Sequence, residues 1–391
     1  MIKKIGILLS SPKEVGGIYQ YSISMLDALN KLNNEKKFKI YYFYTDKCWE
    51  HVIPDVLERI YIKKTIIKKI FKKIFYLFYF FDDRYLKFSS FFNEEVYALN
   101  KSECDLVIFP SQDTASYQIK KKSISTIHDL MHIYERHFLE YTEKVKKNRD
   151  LHYRLMCKYA DAIFVDSDLG KKHVLSNYKI KKDQIFVLPF VPPAYLKNSH
   201  KYNVFKKYKI PKNYFFYPAQ FWQHKNHINL LRALLILKEK NCNNKINLVF
   251  CGAKKNYFNY VLDFAKKNKI DKNIFYIGRV DDKDMSSLYK SAYATIYPSH
   301  CGPTNIPPLE ALSLQCPLIC SNKYAMKEQL GESALYFNPN KPKEISDQIQ
   351  ILITNKELRK RLILEGKNIY NKYNQKHFKN KLENYLLKLL Q

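Results

Sequence analysis

The sequence lacks several features that would each assign it to a familiar class of protein. No stretch approaches the ~18 consecutive apolar residues of a membrane-spanning helix, so no span is predicted. Its cysteines are scattered without a CxxC pair, which argues against a zinc site and against a disulfide framework. Acidic residues are scarce, with 37 Asp and Glu against 67 Lys and Arg. The resulting charge of +30 favours an anionic partner, whether nucleic acid, acidic lipid or phosphorylated substrate.

The basic surplus does not by itself choose among those partners. We find no recognised RNA- or DNA-binding motif, so nucleic acid is not a predicted partner. No signal peptide is predicted, because Ile5–Leu9 is too short an apolar run and polar residues follow it. Unpaired cysteines suit a reducing compartment, and a cytoplasmic location is therefore expected.

Strands and helices are predicted to alternate along both halves of the chain. A length of 391 residues suits two domains of roughly 190 residues each. Short runs rich in β-branched and aromatic residues predict strands at Ile2–Ser10, Lys39–Tyr44, Asp105–Phe109, Ser123–Ile127, Asp161–Asp166, Gln184–Pro189, Asn213–Pro218, Ile246–Cys251, Ile274–Ile277, Tyr293–Tyr297, Leu318–Cys320 and Ala334–Phe337. This alternation predicts an α/β fold of two Rossmann-like parallel-sheet domains facing a cleft, at 1–195 and 196–372, with a helical tail at 373–391.

The most informative stretch is Ser291–Asn322, which predicts a strand, a glycine-containing loop, a helix and a second strand. The first strand ends at Pro298, and the loop Ser299–Ile306 contains glycine, proline and asparagine, which favour turns. Pro307 and Pro308 suit the first turn of a helix, where proline is tolerated. The pattern therefore predicts a helix N-terminus at the mouth of a βαβ crevice, where backbone amides suit a phosphate or a polar sugar.

Glu310 is predicted to lie in the first turn of that helix. A carboxylate there would repel a phosphate, so we expect it to accept hydrogen bonds from hydroxyl groups such as a ribose diol. The combination points to a nucleotide sugar. The alternative is a favourable negative charge at a helix start, and from this residue alone that alternative is the stronger.

The stretch resembles the donor-site signature of the retaining glycosyltransferases of family 4 (glycosyl transferases group 1), which have the GT-B fold. In that family a Glu, seven residues and a second Glu bracket the loop, and Glu310 matches the second, which holds the ribose. Gly302 occupies the position of the first Glu, so the sequence resembles a GPTNIPPLEA-type subgroup. The resemblance implies that the donor sugar is bound by Gly302, Pro303, Thr304, Asn305 and Ile306.

A second part of the resemblance follows the predicted strand Asn213–Pro218. In the family this turn carries an Arg and, five residues later, a Lys that together bind the donor diphosphate. Lys225 matches the Lys, whereas Gln220 stands where the Arg would be, so bidentate phosphate recognition is lost there. The family also implies backbone approach to the nucleotide at Gly252, Gly278 and Val280.

Two features of the first half are candidates for the same site. Gly16 and Gly17 lie between a predicted strand and a helix, a pattern that fits a phosphate- or sugar-binding loop and a simple structural turn equally well. His128 ends a predicted strand, where a lone histidine is more often structural. The resemblance favours function at both places, since family members have a glycine pair near the cleft and a His-Asp pair close to the donor sugar.

Residues 61–81 alternate lysine clusters with apolar and aromatic residues. On a helical wheel the apolar face comprises Ile66, Ile67, Ile70, Phe71, Ile74, Leu77, Phe78 and Phe81. The opposite face comprises Lys64, Lys68, Lys69, Lys72 and Lys73. Such a helix suits the surface of an anionic membrane. A helix packed on its own domain, with its lysines in water, is the equal alternative.

The resemblance implies an enzyme that transfers a sugar from a nucleotide diphosphate sugar to a hydroxyl group, with retention of configuration. The expected acceptor is a glycan or lipid-linked glycan in surface polysaccharide synthesis, and the chain would act in the cytoplasm or on the inner face of the membrane. The resemblance also implies that the domain at 1–195 binds the acceptor, that the domain at 196–372 binds the donor, and that the helix at 373–391 crosses back to the first domain. His128, Lys225 and Glu310 are the expected catalytic residues. No DxD metal motif is expected to serve the diphosphate, and neither metal nor cofactor is expected. A sugar-nucleotide 2-epimerase and a non-catalytic GT-B binding protein are the alternatives.

Overall fold

The computed structural model describes residues 2–55, 57–68, 70–71, 74, 84–197, 203–240 and 246–391. The chain divides into two compact units. Unit 1 comprises residues 1–130, 147–189 and 375–391, and unit 2 comprises residues 131–146 and 190–374. The assignment of acceptor binding to one domain and donor binding to the other stays a prediction.

Unit 1 contains a seven-stranded parallel sheet with the order β3-β2-β1-β4-β5-β6-β7. Its strands are β1 (Lys4–Leu9), β2 (Lys39–Tyr44), β3 (Glu58–Tyr61), β4 (Leu106–Phe109), β5 (Lys122–Thr126), β6 (Ala162–Val165) and β7 (Ile185–Val187). The six strands predicted in this half are confirmed. The sequence analysis missed β3, because this edge strand is exposed along its whole length and has no apolar alternation.

Unit 2 contains a six-stranded parallel sheet with the order β10-β9-β8-β11-β12-β13. Its strands are β8 (Phe215–Pro218), β9 (Leu248–Cys251), β10 (Ile274–Tyr276), β11 (Ala294–Tyr297), β12 (Leu318–Ser321) and β13 (Ala334–Phe337). All six were predicted. Both sheets are thus parallel and Rossmann-like, as the alternation of strands and helices indicated.

Helices connect the strands in both units. In chain order they are α1 (Gly17–Asn34), α2 (Arg84–Phe91), α3 (Glu94–Lys101), α4 (Met131–Tyr134), α5 (Glu143–Tyr159), α6 (Asp168–Asn177), α7 (Val204–Tyr208), α8 (His227–Glu239), α9 (Phe258–Lys267), α10 (Asp282–Ser291), α11 (Ile306–Ser313), α12 (Met326–Leu330), α13 (Pro342–Thr354), α14 (Lys356–Lys372) and α15 (Gln375–Leu390). The last helix belongs to unit 1, where the Tyr385 hydroxyl donates to the carbonyl of Val187 at 3.0 Å.

The predicted amphipathic helix at 61–81 is described only in part. Tyr61 is the last residue of β3, and helical backbone occurs at 66–68, 70, 71 and 74. Residues 69, 72, 73 and 75–83, which include much of both predicted faces, lie outside the described residues. Lys64 forms an ion pair with Glu95 at 2.6 Å instead of joining a basic helix face. Within the described part of the chain, no helix is long and apolar enough to cross a membrane.

Candidate functional site

The strand order of unit 2 reverses direction between β8 and β11. In open parallel sheets, ligands bind beside the carboxyl ends of the strands at such a switch point. The loop after β8 contains Gln220 and Lys225, and the loop after β11 contains Gly302 and Asn305. The fold therefore places both predicted donor-binding motifs at the same edge of one sheet.

Lys225 ends a short 3-10 turn, Gln223–Lys225, that follows β8. Its Nζ lies 3.1 Å from the hydroxyl oxygen of Tyr297, the last residue of β11. That hydroxyl in turn donates to Asn305 Oδ1 at 2.8 Å. This chain of contacts joins the two loops. The ammonium group contacts a neutral hydroxyl, and among the described residues it forms no ion pair with a carboxylate.

Hydrogen bonds to residues at or just after the ends of three strands fix the Gln223–Lys225 turn. The Tyr217 hydroxyl donates to the carbonyl of Lys225 at 2.6 Å. Asn226 has a left-handed backbone with a φ of +60°, and its buried amide donates to the carbonyls of Pro298 and Pro339 at 3.0 and 2.8 Å. The backbone position of Lys225 is therefore set by buried hydrogen bonds, which pre-organises the cation.

The backbone conformation at Gly302 disfavours a glutamate at this position. Gly302 has a φ of +100°, a region that side chains other than glycine rarely adopt. A β-carbon at this position would lie 2.9 Å from both Oδ1 and Nδ2 of Asn305. A glutamate here would therefore require a strained backbone and a shift of the Asn305 side chain.

Asn305 shapes the loop through its own contacts. Its side-chain amide donates to the carbonyl of Cys301 at 3.4 Å, and its backbone N–H and C=O are both bound by the amide of Gln329 at 3.1 and 3.0 Å. Gln329 was missed by the sequence analysis. It follows β12 in α12, and nothing in its local pattern indicates a contact with a loop more than twenty residues earlier.

Glu310 is the fifth residue of α11, so its predicted place in the first turn was wrong, and no acidic residue lies in that turn. This removes the helix-start charge as an explanation. The carboxylate is buried and accepts hydrogen bonds from the hydroxyls of Tyr289 at 2.6 Å and Tyr195 at 3.1 Å. Burial raises the pKa of Glu310 to about 6, although both hydrogen bonds act to lower it. A carboxylate has about four acceptor positions, so two hydroxyl contacts leave capacity for a ligand.

The N-terminus of α11 is poorer in donors than expected. Pro307 and Pro308 lie at its second and third positions, as predicted, and have no N–H group. Among the first four helical residues, only Ile306 and Leu309 therefore carry backbone donors. The amide of Asn305 is already bound to Gln329. Lys225 is therefore a stronger candidate than this helix N-terminus for binding an anionic ligand.

The other predicted positions of unit 2 lie on neighbouring loops. Gly252 has a φ of +139°, and a β-carbon there would lie 2.4 Å from the carbonyl oxygen of Ala219, so only glycine fits. Its N–H donates to the carbonyl of Gly278 at 2.8 Å, which brings these two glycines together. Gly278 also has a positive φ, and no atom lies within 4 Å of its β-carbon position. Gln220 accepts a hydrogen bond from the Trp222 indole at 2.9 Å.

The remaining loop positions differ in exposure. Pro303, Thr304 and Ile306 are buried, whereas Val280 is half-buried. The carbonyl of Pro303 accepts a hydrogen bond from the N–H of Ala325 at 2.9 Å. These residues support the loop, and their direct contact with a donor stays a prediction.

The candidates of the first half lie in unit 1, at the carboxyl edge of its sheet. Gly16 has a φ of +71° and precedes Gly17, the first residue of α1. His128 follows β5, and its Nε2 lies 2.9 Å from the carbonyl oxygen of Pro110, which can only accept, so Nε2 carries the proton. Burial lowers the pKa of His128 to about 4. The ring is therefore neutral near pH 7, and its Nδ1 is an acceptor.

Polar residues that the sequence analysis did not single out lie at the switch point of unit 1, between β1 and β4. Ser10 Oγ donates to Asp113 Oδ1 at 2.6 Å, and Ser11 and Ser111 share a hydrogen bond. Their positions directly after two adjacent strands were the available signal. These hydroxyls and the carboxylate suit a ligand rich in hydroxyl groups.

A metal site would need several convergent ligands. The described residues contain no group of three or more His, Cys, Asp or Glu side chains placed to hold a metal ion. The seven cysteines in the described part of the chain carry thiols and form no disulfide. Metal independence itself stays a prediction.

Comparison with known proteins agrees with this geometry. Residues 198–369 match the family described as Glycosyl transferases group 1. The O-antigen chain mannosyltransferase RfbU of Salmonella typhimurium is 28% identical over 186 residues, which are 46% of this chain and 50% of RfbU. The aligned part thus spans about half the length of that relative. Every predicted donor-site residue of unit 2 lies within residues 198–369.

Solved structures are similar over nearly the whole chain. A glycosyltransferase from Rickettsia africae has a TM-score of 0.73 at 15% identity and covers 100% of this chain and 99% of its own. Anabaena HepE, in complex with UDP and glucose, has a TM-score of 0.74 at 12% identity and covers 99% of this chain and 100% of its own. At these identities the likeness concerns the fold, which is the predicted GT-B fold of two Rossmann-like domains.

Proposed function

We propose that this protein is a glycosyltransferase that moves a sugar from a nucleotide diphosphate sugar to a hydroxyl group of a glycan or lipid-linked glycan. The carrying observation is the convergence of the Lys225 ammonium and the buried Glu310 carboxylate on the loops and helix at the switch point of unit 2. The match of residues 198–369 to Glycosyl transferases group 1 supports this assignment.

The two groups suit opposite ends of one ligand. Lys225 carries a compact positive charge that pairs with a diphosphate. The arginine that the family has beside it is replaced here by the neutral Gln220, so Lys225 binds the diphosphate without that second cation. Glu310 accepts from hydroxyl donors, which suits a ribose diol and repels phosphate. A nucleoside diphosphate carries both kinds of group, so it satisfies both residues at once.

The proposed reaction cleaves the bond between the anomeric carbon of the donor and its β-phosphate oxygen. Lys225 stabilises the negative charge that develops on the departing diphosphate. The acceptor hydroxyl forms the new glycosidic bond on the same face, and its proton passes to the departing phosphate oxygen. Configuration is thereby retained, and no separate side-chain base is needed.

His128 has a narrower role in this scheme than its sequence position allows. The neutral ring keeps its proton on Nε2, which donates to Pro110, so its acceptor Nδ1 suits a donor hydroxyl. A phosphate oxygen would be repelled by that lone pair. We therefore propose that His128 binds a sugar hydroxyl, and that the hydroxyl-rich edge of unit 1 around Asp113 binds the acceptor.

Names of similar proteins indicate which donors to examine first. RfbU is an O-antigen chain mannosyltransferase, and HepE was solved with UDP and glucose. Mannose and glucose donors therefore head the panel, and surface polysaccharide synthesis is the proposed setting.

The membrane surface is the proposed location of an acceptor carried on lipid. Ile66, Ile67 and Ile70 are 78%, 70% and 52% exposed, and Lys63 and Lys68 beside them are exposed as well. Exposed apolar side chains next to lysines suit an anionic bilayer on the cytoplasmic side. We expect sedimentation with phosphatidylglycerol vesicles that is lost in Ile66→Ser/Ile67→Ser and absent with phosphatidylcholine. Equal binding by the double variant would contradict this location.

The central test combines a donor panel with hydroxyl acceptors. Purified protein is incubated with UDP-, GDP-, dTDP- and ADP-sugars, with and without lipid-linked glycan acceptors, and released nucleoside diphosphate and products are measured. Acceptor-dependent release with a new glycoside supports the proposal. Epimerised donor formed without acceptor would favour a 2-epimerase, and donor binding without turnover would favour a non-catalytic GT-B protein.

A further inference from the structure

Residues 131–141, here called the 131–141 segment, belong to unit 2 and lie on its candidate donor loops. The Tyr324 hydroxyl, after β12, donates to Glu135 Oε1 at 2.6 Å. The ring of Phe138 lies 5.4 Å from that of His300, in the loop after β11. The segment thus contacts loops that follow two neighbouring strands of the sheet.

The same segment binds the turn that carries Lys225. The N–H of Leu139 donates to the side-chain oxygen of Gln223 at 2.8 Å. Glu140 Oε1 accepts from the backbone N–H of His224 at 3.2 Å and also bonds to its Nδ1. Two of the three residues in the turn are therefore fixed by adjacent residues of the segment.

His224 also connects this contact to the glycine-containing loop. Its carbonyl accepts from the N–H of His300 at 2.8 Å, two residues before Gly302. Glu140, His224 and His300 therefore form a continuous set of hydrogen bonds between the segment and the two donor loops. A displacement of Glu140 would therefore be transmitted to the backbone of both donor loops, the one after β8 and the one after β11.

The Glu140 side chain is largely buried, and within the described part of the chain only one of its two carboxylate oxygens is bound. Its side chain is only 10% exposed, and its Oε2 has no hydrogen-bond partner among the described residues. Burial raises the pKa of Glu140, but the contacts with His224 outweigh burial and lower that pKa below its ordinary value. Folding therefore favours the ionised carboxylate, and the contacts with His224 offset the cost of the unpartnered Oε2.

We infer that Glu140 is a positioning residue for diphosphate binding, which fixes the Gln223–Lys225 turn so that the Lys225 ammonium is held ready for the donor. The inference rests on the proposed function. A lysine side chain is long and flexible, and the neutral Gln220 supplies no second cation. The position of the Gln223–Lys225 turn therefore determines how closely the Lys225 ammonium approaches the donor diphosphate.

The test measures affinity for UDP, GDP, dTDP and ADP by calorimetry, since none of them carries a donor sugar. Glu140→Ala is expected to weaken binding about tenfold, and Glu140→Gln, which keeps an acceptor oxygen, to weaken it less. The melting temperature of Glu140→Gln is expected to stay close to that of the wild type, so that any loss of affinity reports positioning and not unfolding. Glu135→Gln is the matched control, a buried carboxylate of the same segment, and is expected to keep wild-type affinity.

A double-mutant cycle with Lys225→Ala separates positioning from any independent contact. In the Lys225→Ala background, Glu140→Ala is expected to change affinity less than twofold. Additive losses, or unchanged affinity in Glu140→Ala, would overturn the inference while leaving the proposed function intact. A wild-type protein that binds none of UDP, GDP, dTDP and ADP would overturn both.

Discussion

The two sheets of this protein share a strand plan but carry different chemistry at their switch points. In unit 1 the loops after β1 and β4 present Ser10 and the Asp113 carboxylate, with further serine hydroxyls beside them. In unit 2 the loops after β8 and β11 present the Lys225 ammonium and the Tyr297–Asn305 contact, with the buried Glu310 behind them. The strand order thus sets where the loops lie in each sheet. The few side chains on those loops determine whether the carboxyl edge of the sheet suits a diphosphate or a polyhydroxylated ligand.

The largest effect is expected from removal of the Lys225 ammonium, the group that distinguishes the switch point of unit 2 from that of unit 1. Lys225→Ala is expected to lower kcat/KM by about 100- to 1,000-fold, the range for loss of one pre-organised group that stabilises developing negative charge. Turnover of the best donor from the panel is the measurement. Lys267→Ala, an exposed lysine of α9, is the control that removes equal charge from the same unit. Similar losses in both variants would show that overall charge matters and this position does not.

Loss of the Glu310 charge should weaken nucleotide binding by about 10- to 100-fold, the range for hydrogen bonds to a charged group. Burial raises the pKa of Glu310 to about 6, so the carboxylate becomes protonated as the pH falls through that value. Wild-type affinity for the nucleoside diphosphate should therefore decline below about pH 6. Glu310→Gln should bind weakly at every pH and lack this decline.

The pH dependence of stability should have the opposite sign. Because the folded-state pKa of Glu310 lies above its unfolded value, the folded state binds this proton more tightly. The contribution of Glu310 to stability therefore rises as the pH falls from above 6, while nucleotide affinity falls. Chemical denaturation of the wild type and Glu310→Gln across that range checks the sign, and a matching decline in both quantities would contradict the assignment.

Replacing Gly302 by the glutamate that the family usually has at this position is not expected to improve activity. Gly302→Glu places a side chain at a φ of +100° and against Asn305, so we expect destabilisation of about 1–3 kcal/mol and lower turnover. Gly302→Ala and Gly278→Ala form a matched pair, because Gly278 also has a positive φ but no atom within 4 Å of its β-carbon position. Denaturation midpoints should fall further for Gly302→Ala. A stable, more active Gly302→Glu would show that the loop adapts.

The smallest effect is expected at the edge of unit 1. Asp113→Asn should raise the KM for the acceptor about tenfold, while the Kd for the nucleoside diphosphate stays within twofold of the wild type. Steady-state kinetics with varied acceptor, together with calorimetry, separates the two quantities. A change in nucleotide affinity would mean that the two edges do not divide donor and acceptor in this way.

Local patterns in the sequence predicted the frame and the motif-bearing loops. Strands such as Leu106–Phe109 and Leu318–Ser321 are short apolar runs buried along their length, which is the pattern of a parallel sheet. Pro307 and Pro308 marked the start of α11 for the same local reason. The exposed edge strand β3 has no such pattern and was missed.

The environment of the site residues was not predictable, because it depends on contacts between distant parts of the chain. Glu310 receives hydrogen bonds from Tyr289 in α10 and from Tyr195, which is 115 positions earlier. Glu140 reaches His224 across 84 positions. The identity of a residue indicates its chemistry, whereas its burial, its partners and its pKa are set by tertiary packing.

The most direct test of the account is thermal stabilisation of the wild type and Lys225→Ala by a panel of nucleotide sugars. A ligand that binds only the folded state raises the melting temperature by mass action. We predict a clear shift of the wild type with sugars of one nucleotide, and a much smaller shift of Lys225→Ala at the same concentration. No shift with any donor, or equal shifts in both proteins, would contradict a diphosphate site at the switch point of unit 2.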